Sequence, residues 1–274
     1  MNLQKLLSGE SLFNPKPPRG LTSFRCNICS ADNKLDPANL YRENPTCDTC
    51  GSTVRMRAIV QVLTKSLFGK SLCIDEIGAP RPEIVGIGMS CWDGYAGRLA
   101  HKITFRNTYY HQEPFLDITN VPESMHGTLD FIVSSDVFEH VAPPVSKAFQ
   151  NVYKLLKPGG VFVFTVPYNR PFEPWADTLE RYPNLHDYRI EQTGGTYLLH
   201  NRTKDGQVET FSDLVFHGGP GTTLEMRIFS KASVMRELRK ANLRNIKVHE
   251  SPDWQHGIYW RSKCSIAISA RRIS

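Results

Sequence analysis

The sequence predicts an α/β fold with a mainly parallel sheet, and three observations support this prediction. Short apolar runs that fit buried strands stand at 83–88, 129–134 and 161–166. Segments with helical spacing of apolar residues separate them, as at 143–156. A Lys-Pro-Gly-Gly sequence follows this helix, as is typical where a helix ends. Strands that alternate with helices are joined by right-handed crossovers, and this pattern favours a parallel sheet.

The remaining elements of the α/β region are assigned in the same way. A helix at 92–101 follows the first strand, and a β-rich run at 102–110 and a short apolar strand at 115–118 come next. Near the end of the chain, Ser230 fits the N-cap of a helix at 232–242. Two further strands are predicted after it, at 245–249 and 264–270.

The composition is that of a globular protein. The chain has 274 residues, of which 40% are apolar and 22% charged. These proportions exclude a disordered tail protein, a collagen-like fibre and a disulfide-dense miniprotein. The longest apolar stretch, at 160–166, is far shorter than the roughly 20 residues that span a bilayer. No secretory signal is recognisable, so we expect a soluble, cytoplasmic protein with no membrane partner.

Four of the seven cysteines form two Cys-x-x-Cys pairs separated by 17 residues, namely Cys26, Cys29, Cys47 and Cys50. This spacing is typical of structural zinc sites, in which four thiolates surround Zn²⁺. Because four cysteines leave no ligand position open, the expected role of the ion is structural. Reduced free thiols or a redox pair are the alternatives.

Residues 1–70 are predicted to form this zinc-binding segment and a helix that follows it. They hold ten Lys and Arg against five Asp and Glu, a net charge of +5, whereas the rest of the chain is close to neutral. Apolar residues recur at helical spacing over 53–68, which predicts the helix. Arg55 and Arg57 near its start are interpreted either as part of a solvated face or as contacts to an anionic substrate.

A glycine-rich turn follows the first strand of the α/β region. Gly86 and Gly88 end that strand, and Asp93 and Gly94 open the next helix. In parallel sheets a ligand binds beyond the carboxyl ends of the strands, where glycines let the backbone approach it and a helix N-terminus offers free N–H groups. A tight turn needs glycine as well, so this pattern alone leaves both interpretations open.

The order of these pieces resembles the class I S-adenosylmethionine-dependent methyltransferases. The resemblance covers residues 80–170, with further elements up to 272. It rests on the glycine turn, on Phe-Leu-Asp-Ile-Thr at 115–119, and on Asp-Val-Phe-Glu-His-Val at 136–141 with Leu-Lys-Pro-Gly-Gly at 156–160. It implies a Rossmann-like, seven-stranded α/β sheet, S-adenosylmethionine as cofactor and methyl transfer to a nucleophile.

The resemblance also implies roles for single residues. Gly86, Gly88 and Gly94 would line the methionine and ribose side of the cofactor, and Asp117 would accept a hydrogen bond from the adenine amine. Ser135 and Asp136 would lie near the methyl group.

Two departures from the family pattern concern the same cofactor site. Gly86 stands where the first strand usually ends in an acidic residue, and Ser90 replaces the usual second glycine. We hypothesise that Asp93 supplies the missing carboxylate and that Glu113 binds the ribose hydroxyls.

The cysteine segment adds a narrower resemblance. Cys-Asp-Thr-Cys-Gly-Ser at 47–52, followed by Arg-x-Arg and a helix, is similar to bacterial methyltransferases of glycan and secondary metabolism that carry a zinc segment before the catalytic domain. We therefore expect a first part of the methyltransferase core at 71–168 and a second part at 226–274.

The 57 residues at 169–225 are too many for an ordinary loop and predict a lid or small substrate subdomain. Several aromatic residues with polar tips lie in this insertion, and such side chains suit a sugar or a planar small molecule. It holds five Lys and Arg against nine Asp and Glu, a net charge of −4. Because an acidic lid would repel a phosphodiester backbone, we expect a small-molecule or glycan partner and consider nucleic acid unsuited.

His140 and His217 are the candidates for a general base. His140 directly follows a strand end, where ligands bind, and His217 precedes a Gly/Pro turn that would present its imidazole to a cleft. A packing or capping histidine and a turn histidine bonded to the backbone are the respective alternatives. Tyr168 and Arg227 are predicted to border the substrate, although a surface ion pair would equally explain Arg227.

Three functions remain at this point. The first is a methyltransferase that O-methylates a sugar, a glycan or another small molecule. The second is a zinc-containing RNA methyltransferase, with the basic first segment as its RNA anchor. The third is a non-catalytic zinc-bearing scaffold with a degenerate cofactor site.

Overall fold

The computed structural model describes residues 17–168, 177–217, 221, 223–261 and 265–273. The first 16 residues of the predicted zinc-binding segment lie outside the described residues, as do residues 169–176, with which the predicted insertion begins.

The first segment contains a hairpin and a helix. Strands β1 (Thr22–Arg25) and β2 (Asp32–Leu35) pair antiparallel, and the first cysteine pair lies in the turn between them. Helix α1 (Val54–Phe68) follows the second cysteine pair. The side chain of Thr53 caps its N-terminus, and Gly69 ends it in the left-handed conformation that glycine adopts readily. The helix predicted at 53–68 is therefore confirmed.

Four parallel strands form the centre of the molecule, namely β3 (Arg81–Met89), β4 (Ile103–Thr108), β5 (Leu129–Ser135) and β6 (Leu156–Thr165). Helix α2 (Asp93–Ala100) connects β3 to β4, and helix α3 (Ser146–Leu155) precedes β6. The strands are nearly continuous runs of buried apolar residues because helices or loops cover both faces of the sheet.

The insertion has its own short strands: β7 (Leu179–Glu180), β8 (Asp187–Thr193), β9 (Thr196–Arg202), β10 (Val208–Phe211), β11 (Phe216–His217) and β12 (Thr223–Leu224). β8, β9 and β10 form an antiparallel sheet, and β11 pairs with β12. A small separate core holds this region together, made of Tyr182, Leu199, Leu224 and Met226.

The chain then returns to the central sheet. β13 (Arg227–Ile228) pairs with β7, and helix α4 (Lys231–Lys240) leads to β14 (Leu243–Val248) and β15 (Ile268–Arg272). The central sheet has the order β14-β15-β6-β5-β3-β4, with β15 antiparallel to both of its neighbours. The strand order reverses between β3 and β5, and such a reversal is where open α/β sheets bind ligands.

Among the described residues the central sheet has six strands rather than the seven expected. The run at 115–118, predicted as a strand, makes only an isolated bridge between Tyr109 and Phe115. Its apolar side chains Leu116 and Ile118 are nevertheless buried. A short apolar run fits a buried loop as well as a buried strand, and here tertiary packing selected the loop.

One continuous apolar core joins the first segment to the sheet. It includes Ile28 and Leu40 from the cysteine region, Val60 from α1, and Phe131 and Phe162 from the central strands. None of the helices that the structure describes has the length and apolar character that a bilayer span requires.

Candidate active site

A cavity of about 430 Å³ opens at the carboxyl ends of the parallel strands. Met89 and Ser90 reach it from the end of β3, Thr108 and Tyr109 from the end of β4, and Asp136 from the end of β5. The cavity thus lies at the reversal of strand order, and its volume falls in the usual range for small-molecule sites.

The turn between β3 and α2 forms one wall of this cavity. Ser90 adopts a left-handed conformation with φ of 50°, and its amide donates a hydrogen bond of 2.8 Å to the Thr108 carbonyl oxygen. The Cys91 amide donates to Asn107 Oδ1 at 2.9 Å, and Asn107 Nδ2 returns a bond of 2.8 Å to the Cys91 carbonyl. The turn is therefore fixed to β4 although a serine occupies the position of the usual glycine.

The three glycines predicted to line the cofactor do not border the cavity. Each is required by packing, because an added Cβ would overlap a neighbouring side chain: Phe131 at Gly86, Cys91 at Gly88 and Trp92 at Gly94. The glycines of this turn thus pack a strand and a helix together, and the residues of the turn that border the cavity are Met89 and Ser90.

Three of the four carboxylates assigned to the cofactor, Asp93, Glu113 and Asp117, occupy different surroundings. Asp117 borders the cavity between Leu116 and Ile118, and its Oδ1 accepts 2.8 Å hydrogen bonds from the amide and hydroxyl of Thr119. Asp93 and Glu113 do not border it. Asp93 Oδ1 lies 3.1 Å from the hydroxyl of Tyr109, whereas the exposed Glu113 accepts from the Phe115 amide.

Asp136 is tied to the first segment of the chain. Arg42 Nη2 donates to both of its carboxylate oxygens, at 2.7 and 2.8 Å, and Arg55 Nε lies 3.5 Å away. Thr165 adds a hydroxyl donor at 2.8 Å. Burial opposes ionisation, but the two guanidinium groups outweigh it and hold the pKa of Asp136 below its usual value. Ser135 is bonded by Arg55 and does not border the cavity.

His140 and His217, the two candidate bases, lie side by side in the cavity wall. His140 Nε2 is 3.2 Å from His217 Nδ1, and His140 Nδ1 is 2.8 Å from the Leu224 carbonyl oxygen. Burial lowers the pKa of His140, which favours the neutral imidazole. His217 Nε2 lies 3.3 Å from a carboxylate oxygen of Glu225.

The carboxylate of Glu139 lies beside this histidine pair, with Oε1 3.7 Å from His140 Nε2. Its side chain is 0% exposed, and both of its oxygens lack a hydrogen-bond partner. Burial and the nearby Asp136 raise the pKa of Glu139 well above its usual value.

The four cysteines of the first segment converge on one point. Cys26 Sγ lies 3.8 Å from Cys50 Sγ, and Cys29 Sγ lies 3.5 Å from Cys47 Sγ. All four sulfur atoms lie within 4.8 Å of one another. This cluster stands apart from the residues that border the cavity.

The sequence profile of a methyltransferase domain family matches residues 69–248, about two thirds of the chain. The chain belongs to this methyltransferase family. The protein is therefore an enzyme that uses S-adenosylmethionine, and the interpretation as a non-catalytic scaffold is set aside.

The solved structures to which the chain is similar are distant in sequence. The 1,6-didemethyltoxoflavin-N1-methyltransferase of Burkholderia thailandensis, solved with S-adenosylhomocysteine, is 13% identical with a TM-score of 0.44, covering 80% of this chain and 78% of that one. The sugar N-methyltransferase KedS8 of Streptoalloteichus sp ATCC 53650 is 11% identical with a TM-score of 0.46, covering 82% and 90%. Among curated proteins, none matches the chain.

Two residues predicted to border the substrate of this methyltransferase have structural partners instead. Arg227 is fully buried, with Nε 2.8 Å from Glu180 and Nη1 2.7 Å from the Phe138 carbonyl oxygen. The hydroxyl of the buried Tyr168 accepts a hydrogen bond from the Ile266 amide at 3.1 Å. Neither side chain borders the cavity.

Sequence reasoning also missed residues of the methyltransferase site. Arg42 carried no local pattern, and its partner Asp136 lies 94 residues further along the chain. Tyr188 and Ile190 border the cavity from β8 of the insertion, although their alternation with polar residues fits any surface strand. Glu139 was visible only as part of the motif at 136–141.

Proposed function

We propose that this methyltransferase O-methylates a hydroxyl group of a small molecule, such as a sugar or a glycan. The observation that carries the proposal is the orientation of His140. A carbonyl oxygen only accepts hydrogen bonds, so the 2.8 Å contact with Leu224 assigns the ring hydrogen to Nδ1. The lone pair is then on Nε2, 3.2 Å from His217 Nδ1, and the two rings together border the cavity in which an acceptor hydroxyl needs a base.

The described residues fit S-adenosylmethionine in the cavity. Leu116 and Ile118 provide apolar surface for a purine, and Asp117 between them provides an acceptor for its exocyclic amine. Ser90 and Thr108 supply polar groups at the ends of β3 and β4. We assign the adenosine to this end, which places the reacting methyl group towards Asp136 and His140.

Methyl transfer needs alignment and the removal of one proton. When bound, S-adenosylmethionine supplies an electrophilic methyl group, and the electron pair of the broken C–S bond stays on sulfur. The histidine pair, His140 and His217, receives the hydroxyl proton as the oxygen forms its bond to carbon. Positioning provides most of the rate enhancement, and a general base contributes a factor of roughly 10²–10⁴. The carboxylate of Asp136 is bound by Arg42 and Arg55. Its role is to fix the position of this part of the cavity wall, and it does not accept the hydroxyl proton.

The surroundings of the cavity favour a small acceptor over RNA. Tyr188 and Ile190 of the acidic insertion border the cavity. In the basic first segment, Arg42 and Arg55 bond Asp136 and Ser135, and Arg57 is fully buried. The expected roles of Arg57 on a solvated face or at a substrate are therefore wrong. The positive charges of these three arginines therefore contact groups of the protein itself and are not available to bind RNA.

We further propose that the cysteine cluster holds a structural Zn²⁺. At a Zn–S distance of about 2.3 Å, the edges of a tetrahedral site measure about 3.8 Å. The sulfur pairs at 3.5 and 3.8 Å fit this edge, and four thiolates leave no open position for a substrate.

The cofactor assignment predicts the behaviour of an Asp117→Ala variant. Calorimetry should show that wild-type protein binds S-adenosylhomocysteine and that Asp117→Ala binds it at least about tenfold more weakly, since a hydrogen bond to the adenine is lost. His126→Ala, at an exposed position, should behave as wild type. Equal affinity of Asp117→Ala and His126→Ala for S-adenosylhomocysteine would disprove the adenine assignment.

A second experiment identifies the acceptor by measuring methyl transfer to a panel of sugars, nucleotide sugars and phenols. If all methylated products carried the methyl group on nitrogen, O-methylation would be disproved.

The zinc assignment predicts a loss of metal and of stability in Cys47→Ser. Purified wild-type protein should contain one zinc per chain at this cluster, and Cys47→Ser should contain less. Loss of the ion should lower the free energy of unfolding by at least about 2 kcal/mol, and the melting temperature by roughly 4–8 °C. Cys91→Ala, at a buried cysteine outside the cluster, keeps the zinc. An unchanged metal content in Cys47→Ser would refute the site.

A further inference from the structure

A second group of metal-binding side chains lies in the cavity wall, apart from the cysteines. Glu139, His140 and His217 each place a ligand atom within 4.8 Å of the others. His140 Nε2 is the central atom of the group, at 3.2 Å from His217 Nδ1 and 3.7 Å from Glu139 Oε1. Both carboxylate oxygens of the fully buried Glu139 lack a hydrogen-bond partner.

The contacts around the two imidazoles bring one nitrogen of each ring close to Glu139. The Leu224 carbonyl at 2.8 Å places a hydrogen on His140 Nδ1, so the lone pair of this ring is on Nε2. This nitrogen lies 3.2 Å from His217 Nδ1 and 3.7 Å from Glu139 Oε1. The Glu139 carboxyl is removed from water without a hydrogen-bond partner, which costs free energy that a cation bound beside it would offset.

The separation of the two ring nitrogens is close to that between ligands of one metal ion. Nitrogen ligands of Zn²⁺ lie about 2.0–2.1 Å from the ion, which gives edges of about 2.8–3.0 Å in octahedral and about 3.3–3.4 Å in tetrahedral geometry. The ring nitrogens are 3.2 Å apart, between these two values, and Glu139 Oε1, 3.7 Å from His140 Nε2, needs only a small shift to join them. Metal-bound histidines usually donate their other N–H to a carbonyl or a carboxylate, as Leu224 and Glu225 allow here.

We propose that Glu139, His140 and His217 bind one divalent transition-metal ion at the acceptor end of the cavity. Two imidazoles and one carboxylate select Zn²⁺ or a similar borderline ion over Mg²⁺, which prefers an all-oxygen site. Three protein ligands leave coordination positions open, and His140 and His217 border the cavity. These open positions therefore face the space that we assign to the acceptor.

The inference rests on the proposed function: it keeps the hydroxyl acceptor at this end of the cavity and replaces direct proton transfer to the histidine pair by activation of the hydroxyl at the ion. A hydroxyl that binds the ion has a lowered pKa and loses its proton to solvent, so His140 and His217 act as ligands rather than as proton acceptors. Neighbouring hydroxyls of a sugar or a catechol fit two open positions. The site therefore favours vicinal diols over isolated alcohols.

The ion would also join two parts of the chain. Glu139 and His140 lie on the short helical turn after β5, and His217 lies on β11 of the insertion. The Met226 amide, which follows Glu225, donates a 2.8 Å hydrogen bond to the Glu139 carbonyl oxygen. The third ligand is therefore in place only when the insertion packs on the core.

The test is a titration with Co²⁺ of the full chain that carries one zinc per chain, at the cysteines, without cofactor or acceptor. Wild-type protein should take up one further equivalent, with the weak visible absorption of nitrogen and oxygen ligands and without a thiolate charge-transfer band. His140→Ala, His217→Ala and Glu139→Gln should each bind Co²⁺ at least about 100-fold more weakly, since each removes a ligand. His126→Ala should bind it as wild type does. Because the side chain of His217 is 41% exposed, His217→Ala tests the site even if His140→Ala does not fold.

The outcomes separate this site from the proposed function. Absence of Co²⁺ uptake, or equal uptake by wild type and His217→Ala, would overturn the metal site. Calorimetry with S-adenosylhomocysteine on the same samples tests cofactor binding independently of the ion. Co²⁺ binding that depends on the histidines would uphold the site even if no hydroxyl acceptor were methylated.

Discussion

Replacing Arg57 with methionine is expected to lower the free energy of unfolding by about 3–5 kcal/mol. Arg57 is fully buried, and its guanidinium lies 4.7 Å from the centre of the Phe24 ring. Its nitrogens donate to five oxygen atoms at 2.7–3.1 Å: the Ser52 carbonyl and hydroxyl, the Thr46 hydroxyl, and the carbonyls of His256 and Gly257. Methionine fills part of the space but leaves these buried acceptors without donors.

Urea unfolding of both proteins measures this loss. The slope against denaturant should stay the same, while the midpoint falls. Arg25→Met is the matched control, because Arg25 is an exposed arginine of the same segment, and it should change stability by less than about 0.5 kcal/mol. A loss below about 1 kcal/mol in Arg57→Met would show that the hydrogen bonds of this arginine do not hold the segment to the C-terminal turn.

The stability of the protein should fall by about 3 kcal/mol as the pH rises from about 6 to about 10, because of His256. Burial disfavours the charged ring, but Asp253, with Oδ2 2.7 Å from Nδ1, outweighs it together with Cys73 and raises the pKa of His256 to about 9. The ordinary pKa is 6.5. A raised pKa means that the folded state holds the proton more tightly, so the stabilisation is complete below pH 6.5 and is lost as the pH passes 9.

Asp253→Asn is the variant that isolates this effect. Asparagine can still accept the hydrogen bond from the His256 amide that Asp253 accepts at 3.2 Å, but it carries no charge. Unfolding free energies measured across the same pH range should therefore decline less steeply in the variant. His126→Gln, at an exposed histidine, should follow wild type. Parallel curves for wild type and Asp253→Asn would contradict the assignment.

The sequence allowed prediction of those features that depend on local periodicity and spacing. The apolar runs at 129–134 and 161–166 became β5 and β6, and the spacing of the four cysteines predicted their convergence. The motif at 136–141 led to His140, and the Gly/Pro turn led to His217. Their contact across 77 residues of sequence followed only from the fold.

Other features depend on tertiary contacts that no local pattern reveals. In the sequence, an arginine near the start of a helix has the same pattern around it whether its side chain is exposed or buried. Arg57 is buried among carbonyl groups from the other end of the chain. The sequence at Gly86 and Gly88 fits a ligand-binding turn, and only the structure shows that side chains of the neighbouring strands leave no room for a Cβ at either position. The run at 115–118 has strand composition, and whether it joins the sheet is decided by packing.

The contact of Arg42 and Arg55 with Asp136 bears on how this enzyme could be shortened. A truncated form that began at residue 69 would keep the residues of the matched family region and most of the cavity wall. It would also keep Asp136 in the wall of its cavity with both partner guanidinium groups removed. The cysteine-bearing segment therefore compensates a charge of the domain that follows it and could not be discarded as an independent accessory module.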